Sequence, residues 1–364
     1  MSLNPVQSAA DYRLSDLIDK CIMAGDLTRD EIVFLLSLEE EDAAQLIAAA
    51  DEVRKQYCGS GVHIRGLVEF SNTCKNDCLY CGLRRSNKSV HRYRMTPDEI
   101  VATAQRLASR GIGTVVLQSG EDLFYKAETI ADIIRRIKSS ADIAITLSLG
   151  ERPYKDYKLW KEAGADRYLL RHETSNPELF SKIHPDSTLE NRLGCLRELK
   201  RLGYQIGAGC MVGFPGQTID DLASDILLFK ELEADMVGIG PFIPHPNTPF
   251  KDAPQGSLEM TLKMVALARI VTRDALIPAT TATGSIDEFG REKALQAGAN
   301  VVMPNHTPLD YRIDYEIYPN KRCITEDPEK CGPCLTARIL SVGRTVATGP
   351  GHSPRYMRRK AGLE

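Results

Sequence analysis

The first 58 residues carry apolar positions at helical spacing. Leu14, Leu17, Ile18 and Cys21 form one stripe, Ile32, Leu35, Leu36 and Leu38 a second, and Ala44, Leu46 and Ile47 a third. Thr28-Arg29-Asp30-Glu31 has the form of a capping box at the start of the second stripe. Two or three helices are expected here, leading into and covering a main domain. From Val62 the pattern changes to short apolar runs: VHIRGLVEF (62–70), TVVLQSG (114–120), AITLSLG (144–150), RYLLRHET (167–174), QIGAGCMVGF (205–214), MVGIGPF (236–242), IPATTAT (277–283) and NVVMPN (300–305). Helical segments such as TPDEIVATAQRLASRG, TIDDLASDILLFKELE and LEMTLKMVALARIV separate them, and Thr96-Pro97 and Thr218 make good helix starts. Such alternation predicts an α/β fold with a parallel sheet inside and helices outside. Eight units close as a complete (β/α)8 TIM-type barrel. A six-unit incomplete barrel or an open doubly wound sheet competes, and the count of eight favours the full barrel. The expected division is an N-terminal helical segment over 1–58, the barrel over 59–306 and a C-terminal extension over 307–364.

In such a barrel, function sits at the C-terminal ends of the strands. The first run ends in Glu69 and Ser71, the second in Gln118-Ser119-Gly120-Glu121, and the third holds Thr146 and Ser148. Alternation along a strand puts Arg171 and Glu173 on one face of the fourth run, and His63, Arg65, Leu67 and Glu69 on one face of the first. Charges aimed into a barrel need partners or a ligand, because an uncompensated buried ion costs several kcal/mol. The piece GAGCMVGFPGQT (207–218) lacks the order of a phosphate loop, so its small residues are expected to let a ligand approach the backbone. The proline-rich GIGPFIPHPNTPF (238–250) predicts a rigid loop, on which His245 reads as a ligand or, the favoured reading, as an exposed histidine.

The chemistry is concentrated in cysteine. Cys74, Cys78 and Cys81 stand at C-x3-C-x2-C spacing directly after the first strand. Three thiolates this close can hold a 4Fe–4S cluster and leave one iron open to a small ligand. A zinc site at such a loop needs a fourth ligand nearby. A second, looser triplet, Cys323, Cys331 and Cys334, suits a small iron–sulfur cluster or zinc, or is a reduced surface trio. Ten cysteines in 364 residues are too few for a disulfide scaffold, and six of them lie in these triplets, which points to metal binding in a reducing cytoplasm. With 43% hydrophobic and 26% charged residues the composition is that of a globular protein. A net charge of −3 gives no footprint for nucleic acid or anionic membrane, and no apolar run is long enough to span a bilayer. The basic end, HSPRYMRRKAGLE, is expected to fray.

FSNTCKNDCLYCGLRRSN, LQSGED, TLSLGE, GADRYLLRHETSNP, MVGFPGQT, GIGPFIPHPNTP, PATTATG and ANVVMPN, in this order over roughly residues 50–335, resemble the HydE family, the radical S-adenosylmethionine (SAM) maturases of FeFe-hydrogenases. Biotin synthase and methylornithine synthase share the barrel and the cysteine loop. The resemblance implies a complete barrel enclosing a cavity, with Cys74, Cys78 and Cys81 as the catalytic 4Fe–4S ligands and SAM on the open iron. Glu173, Arg192 and Tyr315 match SAM-contacting positions, and Tyr80, Gln118 and Ser148 join them as cofactor-binding candidates. Arg65, Arg171, Thr280 and Thr281 match positions at the substrate end, with Met303 beside them. Cys323, Cys331 and Cys334 match an auxiliary 2Fe–2S or 4Fe–4S site that varies among members. The implied substrate is a small organometallic iron complex with carbonyl, cyanide and a cysteine-derived ligand. The implied partners are the other hydrogenase maturases and a low-potential donor such as ferredoxin or flavodoxin.

Overall fold

The computed structural model describes residues 13–325 and 328–363. Three helices come first, α1 (Leu14–Met23), α2 (Arg29–Leu36) and α3 (Glu40–Cys58). The capping box at the start of α2 is formed in both directions. Thr28 Oγ1 accepts from the Glu31 amide at 3.3 Å, and the Glu31 carboxylate accepts from the Thr28 amide at 2.7 Å.

The strands follow as β1 (Gly61–Ile64), β2 (Gly66–Ser71), β3 (Thr114–Ser119), β4 (Ala144–Ser148), β5 (Arg167–Leu169), β6 (Gln205–Val212), β7 (Met236–Pro241), β8 (Val301–Val302) and β9 (Thr345–Ala347). The helices between and after them are α4 (Pro97–Ser109), α5 (Ala127–Ser140), α6 (Tyr154–Ala163), α7 (Pro177–Ile183), α8 (Leu189–Arg201), α9 (Ile219–Glu231), α10 (Leu258–Thr272), α11 (Thr281–Ile286), α12 (Gly290–Gln296), α13 (Leu309–Arg312), α14 (Pro328–Ser341) and α15 (Pro354–Lys360). β2 to β7 pair in chain order, all parallel. Parallel bridges carry the circuit onward from Met236 to Leu276, from Pro278 to Val301, and from Asn305 back to Leu67. The Leu67 amide donates to the Pro304 carbonyl at 2.9 Å, which completes the ring. Strands buried on both faces read as continuous apolar runs, which is why eight of them stand out in the sequence.

Two local departures shape the site. The run 277–283 is extended only as far as Ala279, and Thr280 then caps α11. On the fourth run, Leu169 pairs with Gly207 but Glu173 pairs with Cys210, so the chain gains one residue between them. This is a β-bulge, and bulges re-aim side chains beside active sites.

α10 is buried along most of its length between the barrel and α3. Its Lys263 is satisfied there by the Leu36 and Leu38 carbonyls and by Glu259. The expectation of a frayed C-terminus is overturned. β9 pairs in parallel with β1, and the following turn covers the N-terminal end of the barrel. Arg167, fully buried, donates to the Pro350 and Gly351 carbonyls at 2.5 and 2.9 Å. Ser353 donates to Asp235 at 2.5 Å, and Arg359 and Arg358 of α15 pair with Asp235 and Asp274. The tail is ordered because upstream carboxylates and barrel side chains receive it.

Candidate active site

The cysteine loop leaves β2 at the C-terminal mouth of the barrel. Asp77 organises it by accepting from Arg84 Nε at 2.8 Å, the Ser86 amide at 3.0 Å and Ser86 Oγ at 2.6 Å, and its carboxyl is held far below the usual range, chiefly by the Arg84 bond. Arg92 donates to the carbonyls of Asn72, Leu83 and Arg84. Glycine is required beside two of the cysteines. A Cβ on Gly82 would lie 2.1 Å from the Glu316 carbonyl, and one on Gly120 would lie 2.9 Å from Cys74 Cβ.

Cys74, Cys78 and Cys81 line one end of a cavity of ≈ 360 Å³ that descends into the barrel. Burial pushes the Cys81 thiol up to about 12 and raises Cys74 and Cys78 as well. In so dry a place thiolates form only against a cationic partner, and loading it releases their protons. Among the described residues no three His, Cys, Asp or Glu side chains converge on the position of a single metal ion. Three soft donors at a glycine-lined, water-poor loop fit a cluster of irons.

The same cavity is lined by Tyr80, Gln118, Ser148, Glu173, Arg192 and Tyr315, and by Arg65, Arg171, Thr280, Thr281 and Met303. These eleven residues, candidates from the sequence, thus meet in one space. Gln118 donates to the Tyr315 hydroxyl at 3.3 Å. Arg192 reaches in from α8, donating to Glu151 at 2.5 Å and to the Arg171 carbonyl at 2.6 Å. Burial works against its charge, and Glu151 and Glu121 more than restore it. Arg171 pairs with Glu173 at 2.9 Å and donates to the Cys210 carbonyl at 2.7 Å. Both reach the cavity, as alternation suggested, but they do so across the bulge, with Glu173 at φ 64°. A left-handed backbone at a non-glycine residue costs about 1–2 kcal/mol, so the surroundings must impose it.

Arg65 differs from Arg171. Its guanidinium donates to Met236 Sδ at 3.0 Å and the Gly351 carbonyl at 3.2 Å, and among the described residues no carboxylate pairs with it. Burial, and then the positive charge of Arg167, pull its pKa well below the ordinary value. Its Nε and the Thr280 hydroxyl are buried without hydrogen-bond partners. His63 shares that face, as alternation along the run suggested, and sits one layer nearer the floor, also against Gly351.

Several residues were not singled out as site residues. Glu69 lines the cavity and is held by Lys321 and by Asn305 Nδ2 at 2.7 Å. Strand parity put Glu69 there, but nothing local signals Lys321. His184 stands with Nδ1 3.1 Å from Cys78 Sγ and Nε2 3.2 Å from the Tyr80 hydroxyl. Two expectations are corrected. His245 is buried, not exposed, and packs where a Gly82 Cβ would be. The small residues of β6 make room for protein rather than ligand, since a Cβ on Gly209 would meet the Gly238 carbonyl at 2.2 Å and Arg171 Cγ at 2.9 Å.

Cys323 and Cys334 line a neighbouring pocket of ≈ 190 Å³ with Arg291 and Arg338, while the Cys331 side chain lies outside the described residues. Leu67, Thr281, Met303 and Lys321 line both spaces, so Cys323 and Cys334 abut the barrel cavity despite their distance along the chain.

The profile of the radical SAM superfamily matches residues 68–229, which contain the three cysteines and the site residues from Tyr80 through Arg192. The solved structure of methylornithine synthase (PylB) superposes with a TM-score of 0.80 over 95% of this chain and 99% of that one, at 27% identity. The curated 3-methylornithine synthase of Methanosarcina acetivorans is 30% identical over 85% of this chain and 89% of its own. The [FeFe] hydrogenase maturase subunit HydE of Thermotoga maritima is 54% identical over 88% of this chain and 92% of its own length. At that identity, with the cysteine loop and cavity residues gathered in a closed barrel, the chain belongs to the HydE family of hydrogenase maturases and is a radical SAM enzyme.

Proposed function

We propose that Cys74, Cys78 and Cys81 hold the 4Fe–4S cluster and that SAM occupies the cavity end lined by Tyr80, Gln118, Ser148, Glu173, Arg192 and Tyr315. The cluster, when bound, supplies the electron that cleaves SAM to a 5′-deoxyadenosyl radical. The deeper end, with Arg65, Arg171, Thr280, Thr281 and Met303, takes an anionic small molecule, which for a hydrogenase maturase is an iron complex bearing carbonyl, cyanide and a cysteine-derived ligand. The observation that carries this reading is one cavity with three thiols at its mouth and, at its depth, a guanidinium that no carboxylate among the described residues pairs with. Glu173 neutralises Arg171, so the charge left over is that of Arg65. A buried cation of this kind favours an anion, and the planar fork of arginine favours one with two acceptors. The hydroxyl of Thr280, buried without a partner, offers a further donor.

Arg65→Lys and Arg171→Lys should keep iron content and the SAM-induced change in the EPR spectrum, while hydrogenase maturation falls about tenfold or more. Normal maturation by both variants, which keep the charge, would remove the bidentate reading, and normal maturation by Arg65→Met would remove the anionic-substrate reading.

The second triplet is read as an auxiliary cluster site, 2Fe–2S or 4Fe–4S. Its pocket shares Thr281 and Met303 with the end read as the substrate end. Changing Cys323, Cys331 and Cys334 together to alanine should therefore lower bound iron and leave SAM cleavage within about threefold of wild type. Loss of cleavage in a folded triple variant would assign that site to electron delivery. The electron donor is read as a ferredoxin or flavodoxin, and the compartment as the cytoplasm. The described cysteines are all free thiols, and no helix among the described residues is long and apolar enough to cross a membrane.

A further inference from the structure

Between Arg171 and Glu173, both of which face the cavity, the side chain of His172 takes the opposite direction. It is fully buried behind the sheet, 3.1 Å from Asp225 of α9 through Nε2 and 5.5 Å from the Phe229 ring. Asp225 is also fully buried and accepts the Ser175 amide at 2.6 Å with the same oxygen. One helical turn earlier, Asp221 accepts from Asn176 Nδ2 at 2.8 Å. α9 thus grips residues 172, 175 and 176, the stretch that follows the bulge.

The pair is not there to maximise stability. His172 Nδ1 and Asp225 Oδ2 are buried with no hydrogen-bond partner, and burial raises the pKa of Asp225. Buried, half-satisfied polar pairs are generally less stabilising than apolar ones of similar volume. What the pair does supply is direction. On the inner side, Glu173 donates its amide to Gly209 at 2.9 Å and accepts from the Met211 amide at 3.0 Å, with its backbone left-handed at φ 64°. With the flanking residue anchored outward, Glu173 and Arg171 are left pointing inward.

We propose that His172 and Asp225 are positioning residues, an anchor outside the barrel that locks the bulge and aims the Arg171–Glu173 pair into the cavity. The inference rests on the reading that Glu173 binds SAM.

The test compares His172→Leu, His172→Gln and Glu173→Ala in the cluster-loaded protein. Affinity for SAM is read by calorimetry and by the SAM-induced EPR change, and KM and kcat by 5′-deoxyadenosine formation. Hydrogen exchange at the Glu173 and Met211 amides is followed without SAM. His172→Leu should raise KM for SAM about tenfold with little change in kcat, and should speed exchange at both amides. His172→Gln, whose amide can still reach Asp225, should restore both. If leucine at 172 lowers iron loading, His172→Asn, polar but too short to reach Asp225, decides in its place. A normal KM and unchanged exchange in the Leu or Asn variant, with KM raised in Glu173→Ala, overturns the anchor alone. A normal KM in Glu173→Ala overturns the SAM reading of Glu173 and the anchor's role with it.

Discussion

Replacing any one of Cys74, Cys78 and Cys81 by alanine is expected to abolish 5′-deoxyadenosine formation and the SAM-sensitive EPR signal. In the proposed site the carboxylate and amine of SAM need an iron without a protein thiolate, and that iron is defined only while three thiolates hold the other three. Among the described residues no further cysteine lines the cavity. His184 is the nearest alternative, 3.1 Å from Cys78, and burial holds its imidazole neutral, but a single nitrogen in place of a thiolate weakens a soft-metal site. The variants should stay folded, since the loop's shape is kept by Asp77, Arg84 and Arg92 and not by the cysteines themselves. A folded triple variant that still cleaves SAM would show that the cluster lies elsewhere.

A comparably large effect, on stability rather than turnover, is expected at Lys321. Its ammonium is buried beside the Glu69 carboxylate, which is 1% exposed, and lies 5.1 Å from the centre of the Tyr315 ring. Lys321→Met leaves that carboxylate with only the Asn305 amide, and removal of one partner from a buried pair costs about 3–5 kcal/mol. Adding Glu69→Gln removes the stranded charge and should return most of the loss. Urea midpoints of the single and double variants measure this. A single variant as stable as wild type would mean that water, not Lys321, compensates Glu69.

The barrel strands were legible where they are buried on both faces, and Val115-Val116-Leu117 needs no partner to announce itself. Caps were legible because their chemistry lies within four residues, as at Thr28, Thr96 and Thr218. Features set at long range were not. The bulge before Glu173 leaves no mark on the alternation of RYLLRHET, because the extra residue is an ordinary one. α11 begins in a β-branched Thr-Thr that favours a strand locally, and tertiary packing overrides it. Lys321 is separated from Glu69 by 252 residues, and the tail is ordered by Asp235 and Asp274, which no window around HSPRYMRRK contains. The cavity was readable as a list of polar strand ends. The anchoring of that list, through His172, Asp225 and His184, was not.

The floor of the barrel also sets a timetable for folding. β1 is flanked by β8 on one side and β9 on the other. Ser60 meets Thr345 across 285 residues of chain, and Glu69 meets Thr307 across 238. Contacts this distant form after local ones and slow the search. The circuit from β2 to β7 can be assembled from neighbours, whereas the seam and the floor wait for the last part of the chain. Until Gly351 arrives beneath it, the Arg65 guanidinium stands in water and its burial costs nothing. The charge proposed to receive an anion is therefore sealed in among the final steps of folding, and substitutions at the floor should mainly speed unfolding while leaving the rate of folding nearly unchanged.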